Sequence, residues 1–382
     1  MASTPPSAFR GQNEALAPAP LRDISQRYSL QLEDVEDGPP PPAPPATATP
    51  TTAAKSISSE EVHSLLYAHS HFVLFSILGT LTRLGLVSLT TYPSSPLPGL
   101  PWAQFAGCVV MGFLLESHVL FPSHQRAATP LYLGLATGYC GSVTSFSSFM
   151  SETFSYLSNT APATAHSRGQ GVLAGLAYAI ATLALSLGGL QAGAHAAAFL
   201  PLPALPLRTI DAILVPVGIG AWVAALATSA LITTRWRGTV LACAFSPLGA
   251  ASRFWASRWM NPVFRSFPLG TFSVNVVGTA VLAGLTVGRY NHWPGGGACH
   301  VLVGLADGFC GCLTTVSTFA VEIKGLRVGH AYFYAAASVA AGLGLMVVIL
   351  GSYVRVSLCL FAHLSGRGLA LMKVIDMVSW RE

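Results

Sequence analysis

The sequence predicts an all-α membrane protein in which about nine transmembrane helices form an inverted repeat, two four-helix units joined by one linker helix. Three observations predict it. The chain is 52% hydrophobic and only 9% charged, with a mean hydropathy of +0.56, whereas a soluble domain carries roughly 25% charged residues. Apolar stretches close to the ~20 residues a helix needs to cross a bilayer recur along it. Two of them, 170 residues apart, nearly repeat each other: Gly134-Leu-Ala-Thr-Gly-Tyr-Cys-Gly-Ser-Val-Thr-Ser-Phe-Ser-Ser-Phe149 and Gly304-Leu-Ala-Asp-Gly-Phe-Cys-Gly-Cys-Leu-Thr-Thr-Val-Ser-Thr-Phe319.

Residues 1–65 are different material, with Pro39 to Pro42, Pro44, Pro45 and an acidic cluster around Glu33 to Asp37. Such a segment buries too little apolar surface to fold and is expected to be a disordered tail. It has no apolar h-region and is not read as a signal peptide. Spans follow at 71–90, 102–121, 130–153 and 171–193, forming the first unit over 71–193. A linker span at 211–234 leads to 239–257, 269–288, 299–321 and 330–353, the second unit over 239–353. The third and eighth spans are rich in Gly, Ser and Thr and are predicted to be broken helices. Residues 354–382 set Arg367, Lys373 and Trp380 beside Leu369, Leu371 and Ile375 and read as an amphipathic tail on the interface.

An offset of 170 also superposes Gly79 on Gly249, Arg83 on Arg253 and Glu152 on Glu322, and one of 171 superposes Gly107 on Gly278. The linker span has no counterpart. One extra crossing between two four-span copies turns the second copy over, and inverted repeats place their site near the midplane at the repeat interface. Lysines and arginines are distributed too evenly between the loops of the two sides to fix the orientation.

Several classes are excluded. A net charge of +5 without a basic run gives no nucleic-acid surface. The seven cysteines are odd in number and lie mostly in apolar segments, as packing residues do. Cys310-Gly-Cys312 lacks a second pair or a histidine at ligand spacing, so no thiolate metal site is expected. No zinc motif, paired-aspartate site or nucleophile–histidine pattern points to an enzyme.

The chain resembles the fluoride channels historically labelled camphor-resistance proteins, the CrcB (Fluc) family, in the fused two-domain eukaryotic form of the fungal and plant fluoride exporters. The resemblance spans nearly all of 71–353. It rests on Gly270-Thr-Phe-Ser-Val-Asn-Val-Val-Gly278, on Gly308-Phe-Cys-Gly-Cys-Leu-Thr-Thr-Val-Ser-Thr-Phe319 with its first-half copy, and on an arginine in the first helix of each half. It implies a passive fluoride channel of the plasma membrane that works as a single-chain pseudo-dimer.

What the resemblance implies for individual residues agrees with the chemistry of the ion. Fluoride is small and strongly hydrated, so a pore replaces its water with hydrogen-bond donors without a cation that traps it. Asn275 supplies an amide donor. Phe146, Phe149 and Phe319 offer positive ring edges. Hydroxyls of Thr144, Ser147, Ser148, Thr314, Thr315, Ser317 and Thr318, with Tyr178, Thr182, Tyr334 and Ser338 on the fourth and ninth spans, are expected to form a donor track. Arg83 and Arg253 are expected at the vestibules, and Glu152 and Glu322, near helix ends, to face water or a basic partner. The resemblance also implies a structural sodium ion on carbonyls around Gly141, Thr144, Gly311 and Thr314, and no other cofactor.

Each half departs from the family pattern. Val316 stands where the first half has Phe146, and Gln104 where the second has Asn275. Complementary losses imply one intact pore, using Asn275 with Phe146 or Phe149, and one vestigial route through Gln104 and Val316. A rival reading, a proton-coupled anion transporter, rests on Asp307, an intramembrane carboxylate whose counterpart is Thr137. For the aromatics and Asn275 the plainer alternative is helix packing and an interhelical hydrogen bond.

Overall fold

The computed structural model describes residues 59–353, except 124, 125, 127, 128, 161–166, 201, 204 and 291–295. Of the tail expected over 1–65, residues 1–58 lie outside the described residues and 59–65 belong to the first helix; the amphipathic tail expected over 354–382 lies outside the described residues. No strand occurs among the described residues.

Helix α1, Ser59–Thr90, begins ahead of the apolar run that identified it, at a Ser-Glu-Glu start typical of helix N-termini. Helix α2, Pro101–Glu116, opens on a proline, whose missing N–H costs nothing at a first turn. The third span is broken. Pro130–Leu133, the wide π turns of Gly134–Cys140 and Gly141–Val143 form α3, and α4, Phe146–Leu157, follows after two extended residues. Helix α5, Arg168–Phe199, starts at a capping box between Ser167 and Gln170 and completes the first repeat.

The linker is α6, Leu207–Leu231. The second repeat comprises α7, Arg237–Met260, α8, Leu269–Tyr290, a second broken span and α11. The broken span is α9 (Gly296–Gly304, Leu305–Cys310 and Gly311–Leu313) followed by α10, Ser317–Gly325. Helix α11 runs over Val328–Met346 and continues as π turns through Val347–Gly351. Among the described residues, six helical stretches are long and apolar enough to cross a membrane, with Pro101–Glu116 a shorter apolar helix. The nine predicted spans exceed that number by three. Helix α2 has only 16 residues, the glycines and hydroxyl residues of 130–153 dilute its hydropathy, and α7 carries Arg237, Arg253 and Arg258 on an otherwise apolar helix.

The first helices of the two repeats, α1 and α7, pack together, with the hydroxyl of Ser76 donating to that of its counterpart Ser246 at 3.4 Å. Pro247 cannot donate to the carbonyl four residues back, and the Ser246 hydroxyl donates to that Cys243 oxygen instead, at 3.0 Å. The linker lies against both α1 and α7. Trp222 on α6 donates to the Ala244 carbonyl at 2.9 Å, and buried His71 on α1 meets Asp211 on α6 at 3.0 Å. The linker is thereby fixed to the first helix of each repeat.

Candidate functional site at the repeat seam

The site grows from the two chain breaks. After Val143 the backbone is extended at Thr144 (φ −94°, ψ 142°) and Ser145 (φ −142°, ψ 120°), and after Leu313 it is extended at Thr314 (φ −96°, ψ 149°). A break inside an apolar span frees backbone groups that must find partners. In each repeat an amide from the second helix supplies them. Asn275 on α8 donates to the Thr315 carbonyl at 3.1 Å and accepts from the Thr315 N–H at 2.9 Å. Gln104 on α2 does the same to Ser145, at 2.9 and 3.3 Å. The residue change at Gln104 is therefore no loss of this clamp.

The remaining N–H groups are capped across the seam. The Thr144 hydroxyl oxygen accepts from the backbone N–H of Val316 at 3.3 Å and of Ser317 at 3.1 Å, so a residue of the first repeat caps α10. Thr314 accepts from the Ser147 N–H at 3.0 Å and caps α4 in return. Both hydroxyls donate back to their own helices, to Cys140 and Cys310 at 2.9 and 3.0 Å. Such reciprocity is the mark of an isologous, two-fold contact. Substituting valine at Thr144 or Thr314 keeps the shape and removes the cap, so each change is expected to cost about 1 kcal/mol in unfolding of the purified protein. Serine in either place should retain most of it.

Arg83 and Arg253 cross the same seam. Arg83 donates from Nε to the Ser142 carbonyl of its own repeat at 3.0 Å and from Nη2 to the Asp307 carbonyl of the other. Arg253 donates to Cys312 at 2.8 Å and to Thr137 at 2.7 Å. Each residue is 2% exposed. The expected vestibule placement is thus corrected. The guanidinium groups are enclosed, because carbonyls freed by the breaks and π turns solvate them in place of water. Each lies against the glycine of the opposite repeat, Arg83 on Gly311 and Arg253 on Gly141, where a Cβ would collide with it.

Around this polar centre stands a chain of rings. Phe146 and Phe319 meet edge-on across the seam, centroids 5.6 Å apart, and Phe149 joins Phe146 at 6.0 Å. Each end continues to a tyrosine of its own repeat, Phe149 to Tyr178 at 6.4 Å and Phe319 to Tyr334 at 5.1 Å. Each tyrosine hydroxyl donates to a carboxylate, Tyr178 to Glu152 and Tyr334 to Glu322, the latter at 2.7 Å. Glu322 also accepts from Thr271 at 2.6 Å and Asn261 at 3.2 Å. The expectation that these glutamates face water or a base is corrected as well, since both are half-buried acceptors at the ends of the aromatic chain. Sequence reasoning missed this role because the tyrosines come from a helix whose register is not encoded near the glutamates.

The hydroxyl positions divide. The buried hydroxyls form two clusters across the seam, Thr315 and Ser317 with Thr144, and Ser145 and Ser147 with Thr314. Thr318 and Ser148 are only half-buried. Val316 is fully enclosed in the apolar core with the phenylalanines. Ser338 on α11 is enclosed too, and its hydroxyl has no partner among the described residues. The half-buried Asp307 carboxylate lies in the field of Arg83 and Arg289.

The carbonyls around Gly141, Thr144, Gly311 and Thr314 fit a hard monovalent cation in kind. They are oxygen donors at helix C-termini, where no following turn supplies N–H groups. The arginines spend their bonds on neighbouring carbonyls, those of Ser142 and Cys312.

Fold and site together define a membrane protein of two homologous repeats that complete each other's broken helices. The chain belongs to the family described as CrcB-like protein, Camphor Resistance (CrcB), whose profile matches residues 71–194 and 240–352. It is 43% identical over 352 residues to Fluoride export protein 1 of Neurospora crassa, covering 75% of this chain and 66%, just under two thirds, of that protein. It is 38% identical over 302 residues to Fluoride export protein 1 of Candida albicans, covering 73% of this chain and 77% of that one. Fluoride-specific ion channel FluC 2 of Rhodococcus jostii is 42% identical over 100 residues, 25% of this chain and 81% of the bacterial protein. No solved structure matches the chain.

Proposed function

We propose that the chain is a passive, fluoride-selective channel of the plasma membrane, acting as a single-chain pseudo-dimer that lets fluoride leave the cytosol. The observation that carries the reading is Asn275. Its amide is fully enclosed at the second break, and one of its two Nδ2 hydrogens is committed to Thr315, leaving the other to serve an anion. Relatives whose printed names are fluoride export protein and fluoride-specific ion channel give the ion.

The mechanism follows from what the residues offer. Neutral HF crosses lipid, loses its proton in a neutral cytosol and leaves fluoride behind, which a negative-inside potential drives out through any selective path. Along that path the Asn275 amide, the Ser338 hydroxyl and the edges of Phe146 and Phe319 replace water with donors that carry no full charge. Selectivity for a small anion follows, because only a compact ion sits close to several such donors at once. Arg83 and Arg253 are bound to carbonyls and hold the seam, where a free cation would trap the ion. The carbonyls of Gly141, Thr144, Gly311 and Thr314 would hold a structural sodium ion, which would supply a fixed positive charge at the seam.

The test is fluoride efflux from liposomes with the potential clamped by valinomycin and no proton gradient. Rapid efflux, unchanged by external pH and by Asp307→Asn, is expected. Efflux that requires a proton gradient and disappears in Asp307→Asn would replace the channel with a coupled transporter.

A further inference from the structure

The two sides of the seam differ in how closely their helices approach. In the first repeat α2 and α5 make the most extensive helix–helix contact among the described residues, backbone against backbone. A Cβ added at Gly189 would lie 2.7 Å from the Phe105 carbonyl oxygen, and one at Gly193 2.8 Å from the Phe113 nitrogen. One at Gly112 would lie 2.8 Å from the Leu190 carbonyl carbon. Small residues spaced by four bring membrane helices this close. Counted from the paired Tyr178 and Tyr334, the second repeat has Leu345 and Ile349 where the first has Gly189 and Gly193, and counted from the paired Gly107 and Gly278 it has Ala283 where the first has Gly112.

Something else occupies that side. Helix α4 packs on both α8 and α11, and the Phe146 ring is seated on Gly342 of α11, where an added Cβ would lie 2.9 Å from Cε1 of Phe146 and 2.8 Å from Cγ of Met150. Helix α10 packs on α2 and α5 in the corresponding way, but presents the much smaller Val316 in the place of Phe146. The hydroxyls differ in the same sense. Thr182 and Ser186 on α5 donate to carbonyls of their own helix, those of Tyr178 and Thr182, at 2.8 and 2.7 Å. Ser338 on α11 is 0% exposed and unpartnered among the described residues.

We propose that the choice of conducting route is made by packing: Phe146, seated on Gly342, wedges α8 from α11 along Ser338, while Gly112, Gly189 and Gly193 lock α2 against α5 and seal the other route. This deepens the channel reading and rests on it. Gly342 is then a positioning residue for Phe146, and the three glycines are positioning residues for α2. Loss of the wedge at Val316 is what permits the lock, so the closed side is shut by backbone contact along its length and not by a single missing side chain.

Cys108 is a built-in probe of the closed side, facing Gly189, and its counterpart on α8 is Thr279. The full chain, carrying either Cys108 or Thr279→Cys as its single thiol, is placed in liposomes and exposed to silver ion. It is then denatured and its free thiol counted with a maleimide. The Thr279→Cys thiol is expected to be silver-protected and the Cys108 thiol to remain free. Gly193→Leu, which forces α2 off α5, is expected to raise the Cys108 reaction by about ten-fold or more, as an opened close-packed seam admits water. Gly193→Ala, a milder change that keeps the fold testable, is expected to lie between. Reaction of Cys108 in the parent chain as fast as that of Thr279→Cys would overturn the proposal, as would an inert Cys108 in folded Gly193→Leu or Gly193→Ala. Silver is read without fluoride, so a failed channel reading appears separately, as absent fluoride efflux with the silver asymmetry intact.

Discussion

Arg83→Leu and Arg253→Leu are each expected to destabilise the purified protein by about 3–6 kcal/mol, more than any other single change at the seam, since each removes two hydrogen bonds from a charged donor at roughly 1.5–3 kcal/mol apiece. The larger part of the loss is on the acceptor side. Ser142 and Asp307, or Cys312 and Thr137, keep carbonyls in a protein interior with no donor to replace the guanidinium. Lysine recovers the charge but has no planar fork to span two carbonyls in different repeats, so Arg83→Lys should regain only part of the stability. The double leucine variant should lose less than the sum, because both arginines brace the same pair of breaks. Thermal unfolding in detergent measures this. A melting curve for Arg83→Leu indistinguishable from that of the parent would contradict the stapling role.

Asn275→Ala is expected to lower the rate of fluoride efflux by about ten- to hundred-fold, the worth of one hydrogen bond to an ion at 1.5–3 kcal/mol. Gln104→Ala breaks the same kind of backbone clamp and is expected to leave efflux per folded molecule near that of the parent. The pair separates structure from conduction. Both variants leave a break N–H, of Thr315 or Ser145, without its amide acceptor, so both should lose about 1–3 kcal/mol of stability. Only Asn275 lies on the side wedged by Phe146. Equal loss of efflux in the two variants would make the amides structural clamps alone, and loss confined to Gln104→Ala would move conduction to the first-repeat side.

The breaks were legible because glycines, serines and threonines inside apolar spans have few other reasons to be there, and the repeat fixed which residues correspond. Correspondence does not reveal contact, however. An offset of 170 pairs Thr144 with Thr314, but nothing in it says that each caps the other repeat's helix. The resemblance places the arginines at vestibules, and residue type alone offers a charge in a span no nearer partner than water. The structure gives them carbonyls instead, a possibility that exists only where a helix is broken. Gln104 was read as a loss from its residue type, yet its extra methylene still lets the amide reach the backbone of Ser145. The tyrosine–glutamate pairs and the α2–α5 lock depend on the register between distant helices, which hydropathy does not carry. In the same way the arginines of α7 lower the hydropathy of a helix whose packing against α1 is plain in three dimensions.

The most direct measurement of the central claim is the reversal potential of current through the purified protein in a planar bilayer, with a fluoride gradient, symmetric pH and an opposing chloride gradient. Reversal at the fluoride equilibrium potential is expected, unmoved when a pH gradient is imposed, with a current about ten- to hundred-fold smaller in Asn275→Ala. Reversal at the chloride potential, or a reversal that follows the proton gradient, would contradict it.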